Sequence, residues 1–207
     1  MGKKRKSKDE GPKSGERADR RVRADAKRNI DALLEAAKAV FLASGVDAPV
    51  REIAETAGVG LGTVYRHFPQ RSDLIAAVFR REIDACADAA PALATKHEPG
   101  EALVRWMQRY VDFIATKRGL AAALRSGDPA YEALPAYFHK RLCPALQTVL
   151  EAAAAAGEIR AGVEPYDLLV AVAGLCSMSS RPAIHFGPDR TQRMVELLID
   201  GLRYHGG

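Results

Sequence analysis

Residues 58–68, GVGLGTVYRHF, bring a hydroxyl, a guanidinium and an imidazole together at a spacing that suits contact with a nucleic acid. Apolar residues recur every three or four positions, which predicts a short helix that ends at Pro69. With Leu61, Val64 and Phe68 facing inward, the polar side chains share the outward face, and Tyr65 lies at the boundary. Hydroxyl and cationic donors bind phosphate oxygens and base edges. The outward residues are Gly62, Thr63, Arg66 and His67.

The three glycines of this stretch have different predicted tasks. Gly58 suits the positive φ that reverses a chain between two helices, and Gly60 suits the N-cap of the second helix. Gly62 falls inside that helix, where glycine costs about 1 kcal/mol relative to alanine. The cost is offset if another surface, such as a phosphate backbone, approaches the helix closely.

Two further helices are predicted before this one, and the second of them forms a helix-turn-helix with it. From Asn29 an apolar stripe runs to Phe41 at helical spacing, and Gly45 ends it. Next, DAPVREIAETAGVG predicts a helix of about two turns with Pro49 in its first turn and Gly58 at its end. Two short helices joined by a glycine turn also occur in helical proteins that bind no DNA, so the motif alone leaves both readings open.

The positive charge is concentrated at the N-terminus. The chain carries a net charge of +5, and residues 1–28 hold 12 Lys and Arg against 5 Asp and Glu. Few apolar residues occur there, which predicts a flexible basic segment over residues 1–28. Such a segment either solubilises the protein or binds nucleic acid as an arm, because polycations release counterions from phosphate polymers. The arm would use Arg17, Arg20, Arg21, Arg23, Lys27 and Arg28.

Deletion of residues 1–20 tests the arm. We expect the truncated protein to bind every DNA sequence more weakly, and its log affinity to depend less steeply on log salt concentration, because fewer phosphates are neutralised. A salt titration of binding to one duplex measures this slope. An unchanged slope would exclude the arm.

The remaining chain is predicted to be helical, so the fold class is all-α. A helix opens near Ser72 and runs to about Ala90, and residues 91–100, PALATKHEPG, form the clearest break. Helical patterns then continue to about Tyr204. We therefore expect a flexible basic tail over residues 1–28, a DNA-binding head over residues 29–75 and a larger helical domain over residues 76–207.

Several classes of protein are disfavoured by what the sequence lacks. The longest apolar run is shorter than the roughly 18 residues of a membrane span, and no secretory signal is recognised, so we expect a cytoplasmic protein. Five scattered histidines and three distant cysteines predict no metal site and no cofactor. Cys86, Cys143 and Cys176 are either buried small hydrophobes or a thiol sensor. No nucleophile elbow, P-loop or spaced carboxylate pair is present, so we expect no enzyme.

Residues 50–75 read VREIAETAGVGLGTVYRHFPQRSDLI and fit the pattern I-A-x-x-A-G-V-x-x-G-T-x-Y-R-H-F. In this the head, residues 29–75, resembles the TetR family of bacterial transcriptional regulators. The remaining chain agrees with the family only in helical pattern and length. The resemblance implies a homodimer with one three-helix DNA-binding head and one α-helical ligand-binding and dimerisation domain in each protomer. Effector binding would change the separation of the two heads.

The resemblance also implies roles for individual residues. Thr63, Tyr65, His67 and Arg71 would hold phosphates, whereas Leu61 and Gly62 would approach base edges and Arg51 would reach a guanine. Family members often have Ser or Thr at the positions of Gly60 and Pro49, so hydroxyl contacts or caps are lost here. Because Leu61 and Gly62 offer no side-chain donors, we expect specificity from Arg51, Arg66, thymine-methyl contact and DNA shape. The predicted DNA-binding residues are Arg51, Gly60, Leu61, Gly62, Thr63, Tyr65, Arg66, His67 and Arg71.

Aromatic side chains concentrate on one stretch of the larger domain. They either fill a core or line a pocket for a small-molecule effector, with His139 and Arg109 as polar groups or as solvated surface residues. The candidate pocket residues are Trp106, Met107, Tyr110, Phe113, Phe138 and Leu142.

The last two helices carry apolar faces that suit either a four-helix dimer interface or the core of one protomer. The faces comprise Leu168, Leu169, Val172, Leu175 and Cys176 in one helix and Met194, Leu197, Leu198 and Leu202 in the other.

The expected function is that of a ligand-responsive repressor, which binds a palindromic double-stranded operator as a homodimer and is released by its effector. A nonspecific nucleoid-type DNA-binding protein is the alternative.

Overall fold

The computed structural model describes residues 14–178 and 188–203, and over these ranges it contains helices and turns but no strand. The predicted all-α class is confirmed. A short 3-10 helix, Pro129–Tyr131, separates the sixth and seventh α-helices. The α-helices are α1 (Ser14–Ser44), α2 (Val50–Ala57), α3 (Leu61–His67), α4 (Arg71–Ala87), α5 (Ala89–Lys96), α6 (Pro99–Leu124), α7 (Leu134–Ala155), α8 (Pro165–Met178) and α9 (Pro188–Leu202).

The head consists of α1, α2 and α3, with α2 packed against both neighbours. Ile53 of α2 and Val64 of α3 are buried in the core that α1 completes. Between the two short helices, Gly58 has φ 66° and ψ 28°, and its N–H donates to the carbonyl oxygen of Glu55 at 3.1 Å. Because this left-handed conformation lets the chain reverse within three residues, the helix-turn-helix forms as predicted.

Replacing Gly58 with alanine is expected to lower the free energy of unfolding by about 1–2 kcal/mol, the cost of left-handed backbone for an L-residue. No atom lies within 4 Å of a Cβ built at Gly58, so the cost arises from backbone conformation alone. Gly62→Ala is the matched control, because its site is equally open and its φ lies outside the left-handed region. Urea unfolding measures both variants, and equal effects would contradict the explanation.

Helix α1 begins at Ser14, well before the predicted start at Asn29. Residues 14–28, where a flexible segment was expected, are therefore helical in the structure, while residues 1–13 lie outside the described residues. Residues 14–28 hold three Ala and five Arg, and both residue types are good helix formers. Because the buried part of α1 has already nucleated the helix, each further residue extends it at little cost.

Helix α4 connects the head to the larger domain, since it packs against α1, α6 and α7. It begins one residue before the predicted cap Ser72, because Gln70 is the N-cap and its N–H donates to Asp73 Oδ2 at 3.0 Å. On the α1 side, Lys38 Nζ lies 2.7 Å from Glu82 Oε2. A second pair joins Arg81 to Glu35 at 2.5 Å. These ion pairs hold α4 against the head.

The predicted break over residues 91–100 is largely helical. Helix α5 occupies Ala89–Lys96, and only His97 and Glu98 separate it from α6. Pro91 falls in the first turn of α5, where a backbone N–H has no partner within the helix, so proline is tolerated there. Because Pro91 has no N–H to donate to the carbonyl of Ala87, the proline instead separates α5 from α4.

Candidate nucleic-acid interface and ligand cavity

Helix α3 is anchored on one side and open on the other. Val64 is 1% exposed and Phe68 is half-buried against the core, whereas Tyr65 is 50% exposed. Arg66 and His67 are also exposed, and Thr63 is half-buried. The predicted outward face is therefore present, with three exposed donors and one hydroxyl at its edge.

Leu61 does not face inward as expected, because 37% of its surface is exposed. It is the first residue of α3, and helical side chains tilt toward the N-terminus, so its side chain extends past the end of the helix. Gly60 is the N-cap, as predicted, with φ −69°. A Cβ at Gly60 or Gly62 would meet no atom within 4 Å. Packing within the protein thus gives no reason for glycine at position 62.

The two arginines expected to flank α3 differ in their surroundings. Arg51 is exposed on α2. Arg71 is half-buried, and its guanidinium donates to the carbonyl oxygen of Val46 at 2.5 Å. Arg71 therefore fastens the start of α4 to the loop between α1 and α2, a role that sequence reasoning missed. Its predicted phosphate contact stays a prediction and would fall to its remaining N–H groups.

A cavity of about 410 Å³ lies between α4, α6, α7 and α8. Tyr110 and Phe138, two of the predicted pocket residues, line it, with ring centres 6.3 Å apart. His139 also lines it, whereas Arg109 does not. Phe79 contributes from α4, the helix that begins beside the head.

The other predicted pocket residues belong to packed core rather than to the cavity wall. Trp106, Met107 and Leu142 are 0% exposed, and Phe113 is 3% exposed. Trp106 Nε1 donates to the carbonyl oxygen of Cys86 at 3.0 Å, which joins α6 to α4. The sequence left open whether these residues fill a core or line a pocket, and the packing of the helices places them in the core.

Two family models of known proteins match separate parts of the chain. Residues 33–78 match the family model of bacterial regulatory proteins of the tetR family. Residues 98–204 match the model of the SbtR-like transcriptional regulator C-terminal domain. The chain belongs to the TetR family. It is a transcriptional regulator with a DNA-binding helix-turn-helix head.

Solved structures extend this likeness along the chain. A TetR transcriptional regulator from Streptomyces coelicolor is 39% identical, with a TM-score of 0.72 over 85% of this chain and 99% of that one. A TetR transcription regulatory protein from Mycobacterium vanbaalenii is 35% identical, with a TM-score of 0.67 over 88% and 99% of the two chains. An HTH-type transcriptional regulator of Staphylococcus aureus (strain USA300) is 41% identical over 64 residues, which span 30% of this chain and 35% of that relative.

In this TetR-family chain the predicted dimer faces of α8 and α9 are mostly buried within one protomer. Helix α8 packs against α6, α7 and α9, and Leu175 is half-buried between them. On α9, Leu202 is buried and Met194 and Leu198 are half-buried. These apolar faces therefore serve first as core. The buried residues of the predicted α8 face are Leu168, Leu169, Val172 and Cys176.

The opposite side of α8 and one residue of the predicted α9 face, Leu197, remain uncovered in the single chain. Leu197 of α9 is 73% exposed, and Tyr166 and Val170 of α8 are about half exposed. Gly174 and Ser177 continue the exposed side of α8 with small residues. A helix that is apolar on nearly all sides is typical of a helix covered on all sides.

The cysteine environments disfavour a thiol sensor. Cys86 and Cys176 are buried, and burial raises the pKa of the Cys86 thiol to about 12. Burial also raises the pKa of the half-buried Cys143. A thiol with a raised pKa forms little of the reactive thiolate at neutral pH.

Within the described residues, no helix is both long and apolar enough to cross a membrane. The same residues contain no cluster of three or more His, Cys, Asp or Glu side chains that could hold a metal ion.

Proposed function

We propose that this chain is a ligand-responsive repressor that binds a palindromic operator as a homodimer and leaves it when a small molecule enters the cavity. The observation that carries the proposal is the position of α4. Its first residue, Arg71, donates a hydrogen bond to the Val46 carbonyl oxygen in the loop between α1 and α2. Phe79, on the same helix, lines the cavity. The step of eight residues from Arg71 to Phe79 spans about 12 Å of helix. A ligand that moves α4 therefore moves the head.

The exposed face of α3 supports the DNA-binding part of the proposal. Tyr65 and His67 offer donors to phosphates, joined by the hydroxyl of Thr63 at the edge of the face. Arg51 and Arg66 offer guanidinium groups, whose planar donors suit guanine in the major groove. Leu61, exposed at the start of α3, suits contact with a thymine methyl group.

Dimerisation through α8 and α9 is supported by their uncovered apolar sides. Leu197 and Val170 are too exposed for a monomer to gain from them, and the small residues Gly174 and Ser177 allow a second helix to approach closely. Two-fold symmetry in the protein requires two-fold symmetry in the operator. Recognition helices lie about 34–36 Å apart when the half-sites are separated by one turn of DNA.

Replacing Gly62 with alanine is expected to separate stability from DNA binding. Alanine should raise the free energy of unfolding by up to about 1 kcal/mol, because it favours helix and meets no neighbour. Operator affinity should fall at the same time, because the new methyl group lies where the DNA approaches. Urea unfolding and fluorescence anisotropy measure the two quantities. A variant that binds its operator as tightly as the wild type would contradict close approach at this position.

A competition assay tests the function as a whole. The full chain is titrated onto a labelled palindrome from its own upstream region, with random duplex of equal length as competitor. A regulator should prefer the palindrome by about 10³-fold or more, whereas a nonspecific nucleoid-type protein should show almost no preference. Addition of a metabolite panel then identifies compounds that release the DNA. A transcription reporter distinguishes repression from activation.

A further inference from the structure

The ligand cavity has an apolar floor and a basic rim. Tyr110, Leu134 and Leu169 line it from buried positions. The Tyr110 hydroxyl donates to the carbonyl oxygen of Leu169 at 3.1 Å, so that donor is already engaged within the protein. Lys117 and Arg125 line the cavity from exposed positions. A bound ligand would therefore contact apolar surface inside the cavity and positive charge at its opening.

The positive charge of the rim has no counter-charge from the protein. The cavity lining contains no aspartate or glutamate. In the described part of the chain, neither Lys117 nor Arg125 forms an ion pair with a carboxylate. Lys117 Nζ instead lies 5.8 Å from the ring centre of Phe138. Although the side chain keeps solvent contact, desolvation lowers the pKa of Lys117. A partly desolvated ammonium gains most from an anionic partner.

We propose that the cavity binds an organic carboxylate with a planar aromatic body, the body lying on the floor and the carboxylate at the rim beside Lys117. This inference rests on the proposed function, in which the cavity is the effector site. Its volume of about 410 Å³ falls within the range of small-molecule sites, about 300–1,000 Å³. Five aromatic rings line it in a chain that is only 6% aromatic. The rings belong to Phe79, Tyr110, Tyr131, Phe138 and Tyr166.

The rim determines which head group the ligand carries. A cationic group would be repelled by Lys117 and Arg125. A neutral amide of the same shape would occupy the floor equally well but would leave the ammonium without a counter-charge. Of these three head groups, only the carboxylate gains both apolar burial of its body and a charge-assisted hydrogen bond.

Three probes with one body and different head groups test the proposal: biphenyl-4-carboxylate, biphenyl-4-carboxamide and biphenyl-4-ylmethylammonium. Isothermal titration calorimetry of the full chain at about 0.15 M salt measures each dissociation constant. We expect the carboxylate to bind at least about tenfold more tightly than the carboxamide, and the ammonium to bind most weakly. Equal affinity for the carboxylate and the carboxamide, or no binding of any probe, would overturn the proposal.

Two variants assign the preference to the rim. Lys117→Gln should reduce the preference for the carboxylate to about twofold, and Arg125→Gln should reduce it by a smaller factor. Lys140→Gln removes an exposed charge of the same helix bundle that does not line the cavity, so it should keep the full preference. Melting curves verify that each variant is folded. A tenfold preference that survives in both rim variants would refute the role of these cations.

The palindrome competition assay, run on the same preparations, separates the two proposals. A normal preference for the palindrome together with no preference for the carboxylate overturns the effector class alone. A carboxylate preference that Lys117→Gln removes, in a protein that does not prefer the palindrome, supports the cavity chemistry and overturns the regulator proposal.

Discussion

Arg66→Glu should lower the affinity for the operator at least about 100-fold. A single arginine contact with a guanine or a phosphate contributes about 1–3 kcal/mol, and a dimer loses two of them. The glutamate also adds repulsion from the phosphate backbone. Because Arg66 lies in the last turn of α3, on its exposed face, both effects act where the helix would meet DNA.

The fold should tolerate this substitution. Arg66 is exposed, and in the part of the chain that the structure describes its side chain forms no hydrogen bond or ion pair. Exposed substitutions without such partners usually change stability by no more than about 0.5 kcal/mol. A loss of DNA binding in a protein that unfolds at its normal urea concentration would therefore report on the interface itself.

Arg160→Glu is the matched control, since it makes the same change of charge at another exposed arginine. Arg160 lies in the loop between α7 and α8, where its backbone N–H donates to the carbonyl oxygen of Leu202 at the end of α9. Fluorescence anisotropy at one salt concentration compares the variants. Operator affinity within about threefold of the wild type for Arg66→Glu, or equal losses for both variants, would be incompatible with the proposed interface.

Arg66→Lys distinguishes the two ways in which Arg66 would act on DNA. Lysine keeps the charge but lacks the planar fork of donors that grips guanine. If Arg66 reads a base, the lysine variant should bind random duplex normally and lose affinity only for the operator. If Arg66 binds phosphate, both affinities should change by similar small factors.

The helix-turn-helix was predictable because each of its determinants is local. Gly58 takes the left-handed conformation that the turn requires. On α3, the buried Val64 and the exposed donor residues lie on opposite faces, as helical spacing predicts. The start of α1 was not predictable from the apolar stripe, because residues 14–28 extend a helix that is already formed without adding to the stripe. The internal bond of Arg71 also escaped prediction. The acceptor of this hydrogen bond is the backbone carbonyl oxygen of Val46, which lies 25 residues earlier in the chain.

The larger domain shows where periodicity stops being informative. The sequence made Trp106, Tyr110 and Phe138 candidates for either core or pocket, but only the packing of several helices decides which of them adjoins empty space. The same limit applies to α8, where both sides are apolar. One side is core, and the other, with Val170, is uncovered in the single chain.

Trp106→Ala should lower the free energy of unfolding by about 3–5 kcal/mol, the typical cost of removing a large buried aromatic side chain. Trp106 is 0% exposed, and its ring lies 6.0 Å from that of Tyr110 at an interplanar angle of 7°. The substitution also removes the hydrogen bond from Nε1 to the Cys86 carbonyl, which joins α6 to α4. Since small domains are stable by about 5–15 kcal/mol, this loss approaches the limit of folding.

Phe138→Ala is the informative comparison, because Phe138 is half-buried at the cavity wall and its removal enlarges space that already exists. We expect it to cost less than half as much stability as Trp106→Ala and to weaken ligand binding instead. Urea unfolding must be followed by far-ultraviolet circular dichroism, since the chain has one tryptophan and Trp106→Ala removes it. All variants are compared at one protein concentration, because the proposed dimerisation would contribute to apparent stability. A Trp106→Ala variant that loses less than about 1 kcal/mol but no longer binds the probes would place Trp106 at the ligand rather than in the core.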